Sequence, residues 1–195
     1  MSRAPTHSLS RDSLAAASGV WRLLRFDPTW SERFDLTRLG LVRSFFAQIL
    51  VLPLVVMFAV LTERADTGAV TQNLVWRTIL SDVIGVVGYP LIVALIARLL
   101  RLKRWGAFIA VLNWADLIFG LIFAALSALT LLGEQGLMVL RIIWLLILAP
   151  IQILFTWRAA RETMASDISA TVLLVVIELA LSIGADQLAA LTLPA

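Results

Sequence analysis

The chain has 195 residues, of which 61% are hydrophobic and 15% are charged, and its mean hydropathy is +0.94. A soluble domain is about half apolar and a quarter charged, so this composition indicates a membrane protein. Cysteine is absent and the only histidine is His7, which excludes disulfides, thiolate metal sites and a histidine relay inside the membrane. We expect no metal and no cofactor. The net charge is +3. Its basic residues lie beside the apolar blocks, as membrane topology requires, so we expect no nucleic-acid partner.

Residues 1–43 are predicted to form a cytosolic region made of a polar tail and amphipathic helices. Apolar residues recur there at helical spacing, at Leu14, Ala17, Trp21 and Leu24. A short helix of this kind either lies in the membrane interface or packs on the rest of the protein, and both interpretations stay open. Asp27-Pro28 is predicted to end this helix. Asp35 is a candidate cap for the helix that leads into the first span.

The remaining residues, 44–195, contain five long apolar blocks. A helix satisfies its own backbone hydrogen bonds in lipid, and about 20 apolar residues are enough to cross a bilayer. The chain is therefore predicted to be an all-α integral membrane bundle. The five predicted transmembrane helices cover residues 44–61, 74–100, 105–132, 137–155 and 170–191.

Basic residues predict the orientation of this bundle. If the N-terminus is inside, only Arg64, Arg77 and Arg141 of the 16 lysines and arginines fall on the outer side. Cytoplasmic loops carry an excess of lysine and arginine, so the division predicts a cytoplasmic N-terminus and a periplasmic C-terminus in a bacterial inner membrane. It also supports an odd number of spans, because four or six spans would place the basic clusters on opposite sides.

Polar residues inside the apolar blocks are the candidates for function. An ionised carboxylate at the bilayer centre costs at least about 2.5–3.5 kcal/mol, so such a group is protonated, hydrogen-bonded or in contact with a wet cavity. Two interpretations stay open, a proton or cation path and hydrogen bonding that joins helices. The candidate intramembrane site consists of Asp116, Asn113, Glu178, Ser182, Asp82 and Tyr89.

A basic cluster closes the second predicted span. Its members are Arg98, Arg101, Lys103 and Arg104. Four cations at the inner surface are candidate contacts for anionic lipid, at about 1 kcal/mol per residue. The alternative is that they only determine topology.

The architecture, together with Gly88-Tyr89 in the second span, resembles the Yip family of five-span membrane proteins. Eukaryotic members bind small GTPases in vesicle traffic, so the resemblance implies a partner-binding role. The Asp-Leu-Tyr-Gly-Pro motif of that family is absent from this chain. The segments Arg25-Phe26-Asp27-Pro28 and Arg43-Ser44-Phe45-Phe46 are similar to those of small uncharacterised inner-membrane proteins of proteobacteria, a similarity that implies no activity.

Three classes of function follow from these patterns. The sequence contains no Gly-rich phosphate loop, metal-binding helix motif or nucleophile elbow, so we expect a protein that is not an enzyme. The leading hypothesis is a membrane-organising or accessory protein that binds lipid, a membrane-protein partner or a second copy of itself. The alternative is a small transporter or channel with a proton or cation path at Asp116 and Glu178. A membrane enzyme is the third class.

Overall fold

The computed structural model describes residues 9–193, which fold into helices with no β-strand among them. Five stretches are long and apolar enough to cross a membrane, and they confirm the predicted all-α bundle of a multi-pass membrane protein. The helices are α1 (Leu9–Leu24), α2 (Arg38–Thr67), α3 (Gln72–Leu99), α4 (Trp105–Leu126), α5 (Glu134–Ile143), α6 (Ala149–Met164) and α7 (Ile168–Thr192). Short 3-10 turns lie at Pro28–Arg33 and Ser127–Leu132.

The ends of α2 show why the helices are longer than the apolar blocks. The side chain of Thr37 accepts a hydrogen bond from the backbone N–H of Gly40 at 3.1 Å, and Gly68 ends the helix with a φ of 76°. These two caps satisfy the helix ends outside the apolar segment. The candidate cap Asp35 has a different role, because its carboxylate accepts bonds from the backbone N–H and the hydroxyl group of Thr37 at 3.1 and 2.6 Å.

The fourth span is one long helical stretch, Glu134–Met164, in which α5 and α6 are joined by a π-helical turn at Trp144–Leu148. Pro150 lies two residues after this turn. Proline has no N–H group, and its ring collides with the carbonyl group four residues earlier. A π-helical turn is one way for a helix to accommodate such a break without ending.

The helices pack in two pairs. In one pair α2 packs on α4, and in the other α3 packs on α7, while α6 contacts both α4 and α7. We call the end with α1 and the α3–α4 turn the inner end, and the end with the α2–α3 loop the outer end. Residues 107–115 of α4 are all buried, so the inner half of α4 is the centre of the bundle.

The N-terminal helix α1 packs on this inner half. Its buried residues Ala16, Val20 and Leu23 join one apolar cluster with Phe108 of α4 and Phe155 of α6. The opposite face leaves Leu14 and Trp21 75% and 61% exposed. One face of α1 therefore packs on the protein, and the other remains available to the membrane interface.

Charged side chains stabilise the short segment between α1 and the 3-10 turn at Pro28–Arg33. The guanidinium group of Arg158 lies 3.6 Å from the ring centroid of Phe26 and 3.2 Å from the carboxylate of Glu162. Asp27 accepts hydrogen bonds from the backbone N–H and the hydroxyl group of Thr29, at 2.9 and 2.7 Å. These bonds, together with the charge of Arg22, hold the pKa of Asp27 below its ordinary value of 3.8. The carboxylate thus stays ionised at neutral pH.

Candidate intramembrane site

A cavity of about 860 Å³ lies between the α2/α4 pair and the α3/α7 pair. Its walls combine apolar side chains with an unusual number of polar ones for an intramembrane position. All six residues of the candidate site line this cavity: Asp82, Tyr89, Asn113, Asp116, Glu178 and Ser182. The fold thus brings together residues that are up to 100 positions apart in the sequence.

The cavity extends from the outer end of the bundle past its middle, as far as Gln48 and Ile109. It reaches Thr62 near the end of α2, Leu74 in the first turn of α3 and Ala190 in the last turns of α7. At the opposite end it stops against the apolar cluster that contains Phe108 and Leu23. The cavity therefore approaches the outer surface, whereas packed side chains of α4 and α1 close it toward the inner surface.

One wall of the cavity is a hydrogen-bond network between α2 and α4. The side-chain amide of Gln48 donates to the side-chain oxygen of Asn113 at 3.1 Å and to the carboxylate of Asp116 at 2.8 Å. Asn113 donates to the hydroxyl group of Ser44 at 2.9 Å, which in turn donates to the carbonyl group of Leu41 at 2.7 Å. Asn113 and Gln48 are only 5% and 7% exposed. Their buried hydrogen bonds therefore join α2 to α4.

The opposite wall carries Glu178 on α7 and Tyr89 on α3. Glu178 interacts with the hydroxyl group of Thr156 on α6 and lies within electrostatic range of Asp116. Tyr89 is within range of both carboxyl groups, and its own hydroxyl group donates to the carbonyl oxygen of Leu174 at 3.4 Å. Both carboxyl-bearing residues are only partly buried. Asp116 and Glu178 thus belong to different helix pairs and share one cavity.

Further polar groups line the outer part of the cavity. The hydroxyl group of Ser81 donates to the carboxylate of Asp186 at 2.5 Å, joining α3 to α7. Arg77 also lines the cavity, and its Nε atom is buried without a hydrogen-bond partner among the described residues. Asp82, the residue after Ser81, interacts electrostatically with Asp116. The polar lining therefore continues from the outer end to the middle of the bundle.

The candidate set omitted several residues of this site, namely Ser44, Gln48, Arg77, Ser81 and Asp186. Gln48 is an amide inside an apolar block, and Asp186 follows Glu178 and Ser182 at steps of four residues. Those signals mark a polar helix face. Arg77, in contrast, lies near the end of a predicted span, and membrane topology alone is enough to explain a basic residue at that position.

The chemistry of the site is that of carboxyl, amide and hydroxyl groups. Within residues 9–193, no group of three or more histidine, aspartate and glutamate side chains is arranged to hold a metal ion. The basic cluster lies elsewhere, on the turn between α3 and α4. The site can therefore bind and release protons, donate and accept hydrogen bonds, and attract cations.

Comparison of the chain with family models, curated proteins and solved structures found no match. The resemblance to the Yip family stays a prediction. The function of the cavity thus has to be inferred from its own residues.

Proposed function

We propose that the protein is a small, non-enzymatic transporter that moves protons through the cavity by exchange at Asp116 and Glu178. The observation that carries this proposal is the position of the two carboxyl groups, on different helix pairs and around one cavity. The proposal takes up the second class expected from the sequence. The partner-binding class stays a prediction.

The surroundings of the carboxyl groups favour transport over simple joining of helices. A water molecule occupies about 30 Å³ in the liquid, so a cavity of about 860 Å³ has room for many. Polar groups at membrane depth are tolerated where they contact water or other protein groups. Gln48 and Asn113 fit the joining role because they are buried and bonded. Asp116 and Glu178 line the same cavity and are less buried than these two amides.

The route begins at the outer end. Asp186, Ser81 and Asp82 lie in the outer part of the cavity, and Asp116 and Glu178 follow at the middle. With the N-terminus in the cytoplasm, as we propose from the basic residues, the cavity faces the periplasm. Passage toward the inner surface then requires the α3/α7 pair to move relative to α4, which it contacts only sparsely.

The proposal is tested by proton flux into liposomes that contain the purified full chain and a trapped pH-sensitive dye. A potassium diffusion potential supplies the driving force. We expect flux above that of protein-free liposomes, and we expect Asp116→Asn and Glu178→Gln each to reduce it to the protein-free level. Each substitution removes the proton-exchanging group and keeps the size of the side chain.

Asp66→Asn is the matched control. Asp66 is an exposed acid at the outer end of α2, paired with Arg141 at 3.1 Å, and it lies outside the cavity. This variant should keep the flux of the unmodified protein. Absence of flux in the unmodified protein, or unchanged flux in the Asp116 and Glu178 variants with intact helical circular dichroism, would overturn the proposal.

A further inference from the structure

The turn between α3 and α4 carries four basic side chains without acidic partners. None of Arg98, Arg101, Lys103 and Arg104 has a side-chain hydrogen bond or an ion pair within the part of the chain that the structure describes. All four residues are exposed. In contrast, the guanidinium groups of Arg158 and Arg161 at the same end bond to Glu162 and to the backbone of Ser166. The turn thus concentrates positive charge that the protein does not neutralise.

A groove lies directly beside this charge. Its volume is about 510 Å³, and we call it the lipid groove, lined by Ala94, Leu95, Ala97, Arg98, Leu102 and Trp105. Five of its six lining residues are apolar, and Arg98 supplies a cation at its edge. The small side chains of Ala94 and Ala97 leave room that larger residues would fill. Such a groove suits a hydrocarbon chain with an anionic group at one end.

The backbone of the turn supports a specific arrangement. Arg101 and Arg104 have φ angles of 54° and 57°, in the left-handed region that glycine and asparagine adopt more easily. The side chain of Arg104, the residue directly before α4, makes no capping hydrogen bond. Topology requires positive charge at this surface, but it requires neither a groove nor arginine at left-handed positions. Strained residues of this kind often occur at ligand sites.

We infer that the lipid groove and the basic turn together bind one anionic phospholipid. The phosphate diester lies against the cations of the turn, and an acyl chain occupies the groove beside Trp105. The headgroup level of the inner leaflet is where the turn lies if α3 and α4 both cross the membrane. This site is separate from the cavity and independent of the proposed transport.

The experiment uses the full chain in phosphatidylcholine vesicles that contain dibrominated phosphatidylglycerol, whose bromine atoms quench tryptophan fluorescence. The Trp105→Phe variant identifies the part of the quenching that comes from Trp105. We expect brominated phosphatidylglycerol to quench Trp105 at lower mole fractions than brominated phosphatidylcholine with the same acyl chains. Arg101→Asn combined with Arg104→Asn should weaken this preference by about fivefold for each charge removed. Asparagine tolerates the left-handed conformation, so the turn is retained.

The matched control is Arg33→Gln combined with Arg38→Gln, which removes two exposed charges at the same end of the bundle but away from the groove. It should leave the preference unchanged, and an equal loss would reduce the effect to general surface attraction and overturn the site. Ala94→Phe fills the groove without changing charge and should lower quenching of Trp105 by both lipids. Equal quenching by the two lipids in the unmodified protein would also overturn the inference. So would full competition by inorganic phosphate, because the ligand would then be a free anion.

Discussion

At the inner start of α2 a methyl group added at Gly40 would stand 1.9 Å from the backbone oxygen of Asp35 in the preceding turn, whereas one added at Gly85, midway along α3 on the cavity wall, would meet no atom within 4 Å. The same contrast holds for the neighbouring side chains. Residues 107–115 at the inner end of α4 are buried, whereas the cavity leaves open space beside Gly85. The inner end of the α2/α4 pair is thus closely packed, and the cavity between the two helix pairs keeps space and polar groups.

The contrast distinguishes two regions of one bundle. The inner end gains its stability from close packing of apolar groups, including those of α1. The cavity walls give up part of that packing, because they lose the contacts that filled space would provide. Paired substitutions at a closely packed position and on the cavity wall test this difference.

The largest effect is expected from Gly40→Ala. Its new methyl group collides with the backbone, which cannot rotate away as a side chain can. We therefore expect the free energy of unfolding to fall by about 3 kcal/mol, the upper end of the range for overpacking substitutions. Gly85→Ala, the matched change on the cavity wall, should alter the free energy of unfolding by less than about 0.5 kcal/mol. Thermal unfolding in detergent, followed by tryptophan fluorescence, measures both. Similar losses in the two variants would show that the start of α2 and the cavity wall do not differ in packing.

The second substitution fills the open space beside the cavity wall. Gly85→Leu places a bulky side chain on the wall of the cavity, and we expect it to reduce proton flux severalfold while the protein stays folded. Gly184→Leu is the matched control, because Gly184 also has open space around it but does not line the cavity. The control should keep its flux in the same liposome assay. Equal flux in the two variants would place the proton route outside this cavity.

The sequence predicted which polar residues line the cavity better than it predicted the contacts between helices. Asp116 and Glu178 stand out because a carboxyl group in an apolar block is costly, and costly residues are seldom accidental. The five spans follow equally directly from the lengths of the apolar blocks. Both signals lie within single segments of the sequence. They can therefore be recognised without knowing which helices are neighbours.

The contacts between segments could not be predicted in the same way. Gln48 bonds to Asn113 and Asp116, 65 and 68 positions later in the chain, and no local pattern indicates that α2 lies beside α4. The docking of α1 on α4 and α6 depends on Val20 and Leu23 finding Phe108, a choice that amphipathic spacing leaves open. The left-handed arginines at positions 101 and 104 are also invisible in the sequence, since glycine or asparagine is the usual signal for that conformation.

The smallest expected effect concerns the boundary between the closely packed region and the cavity, where Gln48 joins α2 to α4. Gln48→Leu removes two hydrogen bonds, and hydrogen bonds between membrane helices contribute about 0.6 kcal/mol each on average, so we expect a loss of about 1 kcal/mol. Gln152→Leu is the control, because Gln152 lines the same cavity but has no hydrogen bond among the described residues. The control should change stability by less than about 0.5 kcal/mol.

A double-mutant cycle completes this test. If Gln48 and Asn113 act as one network, Asn113→Leu should cost less in the Gln48→Leu background than in the unmodified protein. Additive losses would mean that the two side chains stabilise the bundle separately. The boundary would then be held by packing of α2 on α4 alone, and the hydrogen bond from Gln48 to Asp116 would serve to orient the carboxyl group toward the cavity without fastening the helices.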